Sequence, residues 1–132
     1  MPVTLYGKHA RLVAWGFVAA TQAEIAERIG PFSFVAEQDG VPVGFAIGRP
    51  KVAANFAILP DGTAYLEVED IYLIPEVRGR GIGSRLLNSL LEGAERQGIH
   101  RALVYSSVKN IGPVMRFYEH QGFRSWCVQM FR

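Results

Sequence analysis

The sequence contains one cysteine, Cys127, so no internal disulfide can form and nothing calls for an oxidising compartment. Cys127 reads as a packed strand residue. No apolar run reaches the roughly 18 residues that cross a bilayer. The amino terminus has neither the basic start nor the long apolar stretch of a signal peptide. A cytoplasmic protein with no membrane partner is therefore expected. Lys and Arg number 14 against 12 Asp and Glu, a net charge of +2, with no run of five or six like charges. Without an extended basic face, nucleic acid is not an expected partner. His9, His100 and His120 are scattered without metal-ligand spacing, so no metal is expected. Internal repeats, low-complexity segments and a linker are all lacking.

What remains is 132 residues, 49% of them hydrophobic. That is enough for one domain, 1–132, with a core of its own. Val3 to Tyr6 reads as a short strand, and Ala10 to Ala20 as a helical segment weakened by Gly16 and its valines. Thr21 and Glu24 form a capping box for a helix from Gln22 to Ile29. Phe32 to Gln38 and Val43 to Gly48 read as strands joined at Asp39-Gly40, a pair that tolerates positive φ. Pro50 to Leu59 is ambiguous, and Leu59-Pro60-Asp61-Gly62 is a turn. Ala64 to Ile74 reads as the longest strand. Ile82 to Gln97 is an amphipathic helix with Ile82, Leu86, Leu87, Leu90, Leu91 and Ala94 on one stripe, ended by Gly98. A strand from Arg101 to Ser106 follows. A helix then starts at Pro113, runs to Gln121 and stops at Gly122. A last strand spans Phe123 to Phe131. The fold class is α/β with a mixed, mostly antiparallel sheet. Ile74 to Arg101 forms a parallel strand–helix–strand crossover, and helices flank the sheet.

The chemistry is concentrated between a strand end and a helix start, at Arg78-Gly79-Arg80-Gly81-Ile82-Gly83-Ser84. The first amides of a helix lack internal partners, and the helix dipole favours negative charge there. Glycines let phosphate oxygens approach the backbone, and Arg78 and Arg80 add charge-assisted donors. A diphosphate is the natural guest. The loop is not a P-loop, because Gly83 is followed by Ser84-Arg85 rather than Lys and Ser or Thr. Nor is it G-x-G-x-x-G, because the third glycine would fall on Ser84 or Leu86.

Read with the strand before it, Glu67-Val68-Glu69-Asp70-Ile71-Tyr72-Leu73-Ile74-Pro75-Glu76, the loop resembles the GNAT superfamily of N-acetyltransferases. That family's signature is Arg or Gln, two residues, Gly, one residue, then Gly or Ala. Arg78, Gly81 and Gly83 fill those places. Phe117-Tyr118-Glu119-His120-Gln121-Gly122-Phe123 resembles the family's tyrosine-bearing helix and following strand. The resemblance covers roughly Phe32 to Phe123 and implies a GNAT-like fold, with acetyl-CoA as donor and an amine as acceptor. It places the coenzyme A diphosphate on the amides of Gly79, Arg80, Gly81, Ile82, Gly83 and Ser84. The pantetheine arm would lie along Ile71, Tyr72 and Leu73, bonded by the backbone of Ile71 and Leu73. The acetyl group would lie where this strand splays from Arg101 to Ser106.

The same resemblance makes Glu69 or Glu67 the base and Tyr118 the acid that returns a proton to the leaving thiolate. At strand period two, Glu67 and Glu69 share a face with Ile71 and Leu73, and Asp70 takes the other. Asn110 would contact the cofactor near the thioester. It stands eight residues before Tyr118 where the family often has seven, and Gly112 looks like the extra residue. Asn110 also reads as a turn or cap residue. Only about 31 residues precede the Phe32 strand, fewer than the family usually has, so its first strand or one of its first two helices, which often shape the acceptor pocket, is expected to be short or absent. The acceptor amine is left open, as small molecule or protein. A domain that binds acyl-CoA for sensing without turnover is the alternative. A homodimer that covers the sheet edge at Phe123 to Phe131 is also open.

Overall fold

A computed structural model describes residues 3–5, 32–105, 111–126, 130 and 132. The helix expected over Ala10 to Ala20, the capping box at Thr21 and Glu24, Asn110 and Cys127 lie outside the described residues. Five strands form one sheet in the order of the chain: β1 Val3–Leu5, β2 Ser33–Gln38, β3 Val41–Val52, β4 Ala64–Leu73 and β5 Ala102–Val104. The first three pairings are antiparallel and the last, β4 with β5, is parallel. Helix α1, Ile82–Glu95, makes the connection between that parallel pair, and α2, Ile111–His120, follows β5.

The β2–β3 turn forms where Asp39 and Gly40 both adopt positive φ, 51° and 75°. That is the geometry that closes a two-residue hairpin. Strand β3 then runs on to Val52, through Pro50. The longest strand is therefore β3, with 12 residues, and not β4, with 10. Proline is accommodated because β2 accompanies β3 only as far as Ile47, so among the described residues no strand faces the missing N–H of Pro50. The β3–β4 loop is closed by a turn in which the Thr63 amide donates to Pro60 and the Asn55 amide donates to the Asp61 carboxylate.

Helix α1 lays its predicted stripe on the sheet. Ile82, Leu86, Leu87, Leu90 and Ala94 are buried with Phe32, Phe34, Ala46, Leu66 and Val68 in one core, and Leu91 packs at its margin. Each buried leucine, isoleucine, valine or phenylalanine among them contributes about 1.5–3 kcal/mol by burial. The helix ends where the Ile99 amide donates to Ala94 around Gly98. On the opposite face, Val35, Phe45 and Ile47 form a second cluster with Tyr72. A third, beside it on β4, gathers Ala53, Leu59 and Tyr65 with Phe56 and Leu103.

Two further expectations change. Pro113 is the third residue of α2, not its first. It is tolerated there because first-turn amides have no intrahelical partner. Phe123 to Trp126 form no strand. Gly122 ends α2 with the Phe123 amide donating to the Tyr118 carbonyl, which uses that backbone in a helix cap instead of a ladder. Among the described residues, no helix is long and apolar enough to cross a membrane, and no group of three or more His, Cys, Asp or Glu is placed to hold a metal ion.

Gly44 fixes how closely β3 approaches β4. A Cβ there would meet Leu73 Cδ2 and lie 2.8 Å from the Tyr72 carbonyl oxygen. The leucine tip can turn aside, but the backbone oxygen cannot. Gly44→Ala should lower stability by about 1–3 kcal/mol, read as a reduced urea midpoint. An unchanged midpoint would show that the strands have room to part.

Candidate active site

A β-bulge shapes the centre of the site. Ile47 pairs with Asp70 and Gly48 pairs with Val68, which leaves Glu69 as the extra residue on β4. A bulge shifts the alternation of side chains by one. Before it, Leu66 and Val68 face the α1 core; after it, Ile71 and Leu73 do. Glu67 therefore does not share a face with Ile71 and Leu73. Asp70, paired with Ile47, and Tyr72, packed on Phe45, lie on the face that carries Glu67. Glu69 reaches that same face, because its carboxylate bonds Arg49, two residues along β3 from Ile47. The expected pairing of the two glutamates holds, and Asp70 joins them instead of opposing them.

The bulge also redirects the backbone. The Ile74 amide donates to the Val43 carbonyl, so Tyr72 and Ile74 are bonded to β3. By the alternation of an antiparallel ladder, the polar backbone groups of Ile71 and Leu73 point away from β3. That outer side is where β5 would lie, but β5 pairs with β4 only at Leu66, Glu67 and Val68. Among the described residues, no strand continues alongside Ile71 and Leu73. Tyr72, expected beside the cofactor with them, turns its backbone inward and its ring onto Phe45.

The loop after β4 passes through a 3-10 turn, Pro75–Val77, before α1. Gly79 and Gly81 adopt left-handed φ of 77° and 80°, and a Cβ built on either meets nothing within 4 Å. Gly81 is the N-cap of α1; no side chain caps that end and no acidic residue stands in its first turn. The first amides of α1 thus lack the side-chain acceptor that usually satisfies a helix start. Gly83 serves differently from Gly79 and Gly81. It is buried, and a Cβ there would lie 3.4 Å from the Phe117 ring, so its smallness lets α2 pack on α1. The Arg78 Nε donates to the Leu73 carbonyl at 3.1 Å, and its guanidinium lies 5.7 Å over the Tyr72 ring. Arg78 therefore ties the loop back to the strand end, while Arg80 is exposed. Gln121 Nε2 donates to Ser84 Oγ at 2.8 Å, which fixes the end of α2 beside the start of α1.

Tyr118 comes from α2 and packs against the α1 core between Phe117 and Phe123, with ring centroids at 5.0 and 5.4 Å. Burial, and then the negative charge of Asp70, push its phenol above the ordinary value of 10.0. Both influences disfavour the phenolate, so the group is a proton carrier at neutral pH.

Two residues of this site escape sequence reasoning. Arg49 Nε bonds Glu69 Oε1 at 3.1 Å, and Lys51 Nζ bonds Glu67 Oε2. The Glu67 carboxylate raises Lys51 above its usual value. The available signal was the alternation Arg49-Pro50-Lys51, which places two cations on one face once β3 is known to continue through proline.

This architecture is shared with known proteins. The acetyltransferase (GNAT) family model matches residues 9–123. The chain is 33% identical over 90 residues to an uncharacterized N-acetyltransferase of Methanocaldococcus jannaschii, covering 68% of this chain and 38% of that protein. It is 30% identical over 89 residues to the glucosamine 6-phosphate N-acetyltransferase of Trypanosoma brucei brucei, covering 67% of this chain and 58% of that protein. It thus spans less than two thirds of the length of either relative. Its fold is similar to that of an aminoglycoside N-acetyltransferase, AAC(6')-Iy, in complex with CoA, with a TM-score of 0.64 at 23% identity, covering 76% of this chain and 64% of that one. The glycine loop at the start of α1 and the family match over residues 9–123 agree, and the chain belongs to the GNAT acetyltransferase family.

Proposed function

We propose that the chain transfers the acetyl group of acetyl-CoA to a primary amine. One observation carries this reading: a helix start without a side-chain cap, fronted by two open left-handed glycines, follows a strand whose outer backbone edge at Ile71 and Leu73 is paired with no strand among the described residues. Amides in such a position suit a diphosphate, and the outward backbone of Ile71 and Leu73 suits an amide-bearing arm. Coenzyme A has both parts, in that order. When bound, acetyl-CoA supplies an activated thioester carbonyl.

The chain's own residues do the rest. An alkylamine with a pKa near about 10.4 needs roughly 4 to 5 kcal/mol to shed its proton at pH 7. Glu69 or Glu67 accepts that proton as the N–C bond forms. Tyr118 holds a proton for the thiolate released as the C–S bond breaks.

The test is thiol release with acetyl-CoA and a broad panel of amines. Glu69→Gln should lower the rate by about 100-fold near pH 7 and progressively less as the pH approaches the amine's own pKa. The same flat pH profile in both proteins would remove Glu69 as base. Tight acetyl-CoA binding with no turnover on any amine would favour a sensing module instead.

A further inference from the structure

The candidate bases carry cations with them. Arg49 and Lys51 project from one face of β3, bonded to Glu69 and Glu67. The carboxylates lie deeper, with side chains 16% and 19% exposed, and the cations lie outward, at 47% and 42%. An acceptor that approaches this face meets positive charge first. A simple alkylamine or polyamine is repelled there, and each carboxylate it seeks is already bonded. An acceptor with an anion beside its amine can exchange partners instead. Its anion takes the outward guanidinium and ammonium, while its ammonium takes the carboxylates. Arg49 suits this role, because its fork can hold two oxygens of one anion.

We propose that the acceptor carries a phosphate or carboxylate next to its reacting amine, and that Arg49 and Lys51 bind that anion. This rests on the acetyl-transfer reading. It adds the class of amine and two specificity-determining residues. Glu69 and Glu67 are each matched by one cation, so a zwitterionic acceptor exchanges partners with them pair for pair.

The test compares O-phosphoethanolamine, β-alanine, ethanolamine and 1,3-diaminopropane as acceptors. The first two should exceed ethanolamine in kcat/KM by about tenfold or more, and the diamine should rank last. The better of the two distinguishes phosphate from carboxylate. Arg49→Gln and Lys51→Gln should each pull the ratio of anionic to neutral acceptor toward one, mainly by raising KM for the anionic member. The best turnover with the diamine, or a ratio unmoved in both variants, would overturn the proposal. If no amine releases thiol, the acetyl-transfer reading itself fails. Titration of the wild type with O-phosphoethanolamine, followed at the Arg49 side-chain Nε–H by NMR, then decides the anion site. A saturable shift absent with ethanolamine supports it, and no shift overturns it.

Discussion

Gly81→Glu should abolish measurable coenzyme A binding while leaving the protein folded. Gly81 sits at φ 80° and ψ 5°, where an L-residue is strained by about 1–2 kcal/mol. A Cβ there enters open space, so nothing in the core is displaced. The added carboxylate would lie at the start of α1, where the helix dipole favours it. It would occupy the place proposed for the diphosphate and repel a second anion. The dissociation constant should rise by about 100-fold or more, equivalent to about 2.8 kcal/mol. Gly81→Ala, with the strain but without the charge, should fall between the two. Calorimetric affinity unchanged in the glutamate variant would sink the loop as the diphosphate site.

The second large effect is expected at Tyr118. Tyr118→Phe keeps the ring between Phe117 and Phe123 and removes only the hydroxyl. Turnover should fall by about 100-fold, with coenzyme A affinity within about twofold of the wild type. The pH dependence gives an independent check. Burial and the Asp70 charge raise the phenol's pKa, so the proton is retained to higher pH than in an ordinary tyrosine. The alkaline fall of kcat assigned to this group should therefore lie above about pH 10. Asp70→Asn removes the second of these influences and should move that fall to lower pH. Equal turnover in the tyrosine and phenylalanine proteins would remove Tyr118 as the acid.

The segment proposed to take the cofactor was legible in the sequence as a glycine loop because it is local. Arg78 to Ser84 is one continuous segment, and its glycines are required by backbone geometry that a sequence displays directly. The stripe of α1 was legible for the same reason, since one periodicity defines both the helix and its buried face. The face proposed to meet the acceptor depends on strand register, which is not local. Simple alternation placed Asp70 opposite Glu67, and the bulge at Glu69 reversed that. A bulge is set by how β3 pairs with β4 and leaves no mark in β4 alone. From sequence, β3 ends at Gly48 and Pro50 to Leu59 is ambiguous. Pro50 is accommodated because β2 stops at the partner of Ile47, a fact of the sheet and not of the segment. Arg49 and Lys51 were missed with it. Gly83 was legible as part of the loop motif, but not as the contact that seats Phe117 against α1.

One continuous surface, from the outer edge of β4 to the start of α1, is proposed to receive coenzyme A. That proposal is tested most directly by titrating the protein with coenzyme A and following every backbone amide by NMR. The shifts should be saturable and concentrated at Ile71, Leu73 and Gly79 to Ser84, and Gly81→Glu should suppress them. Saturable shifts that spare both segments, or shifts that persist in Gly81→Glu, would contradict it.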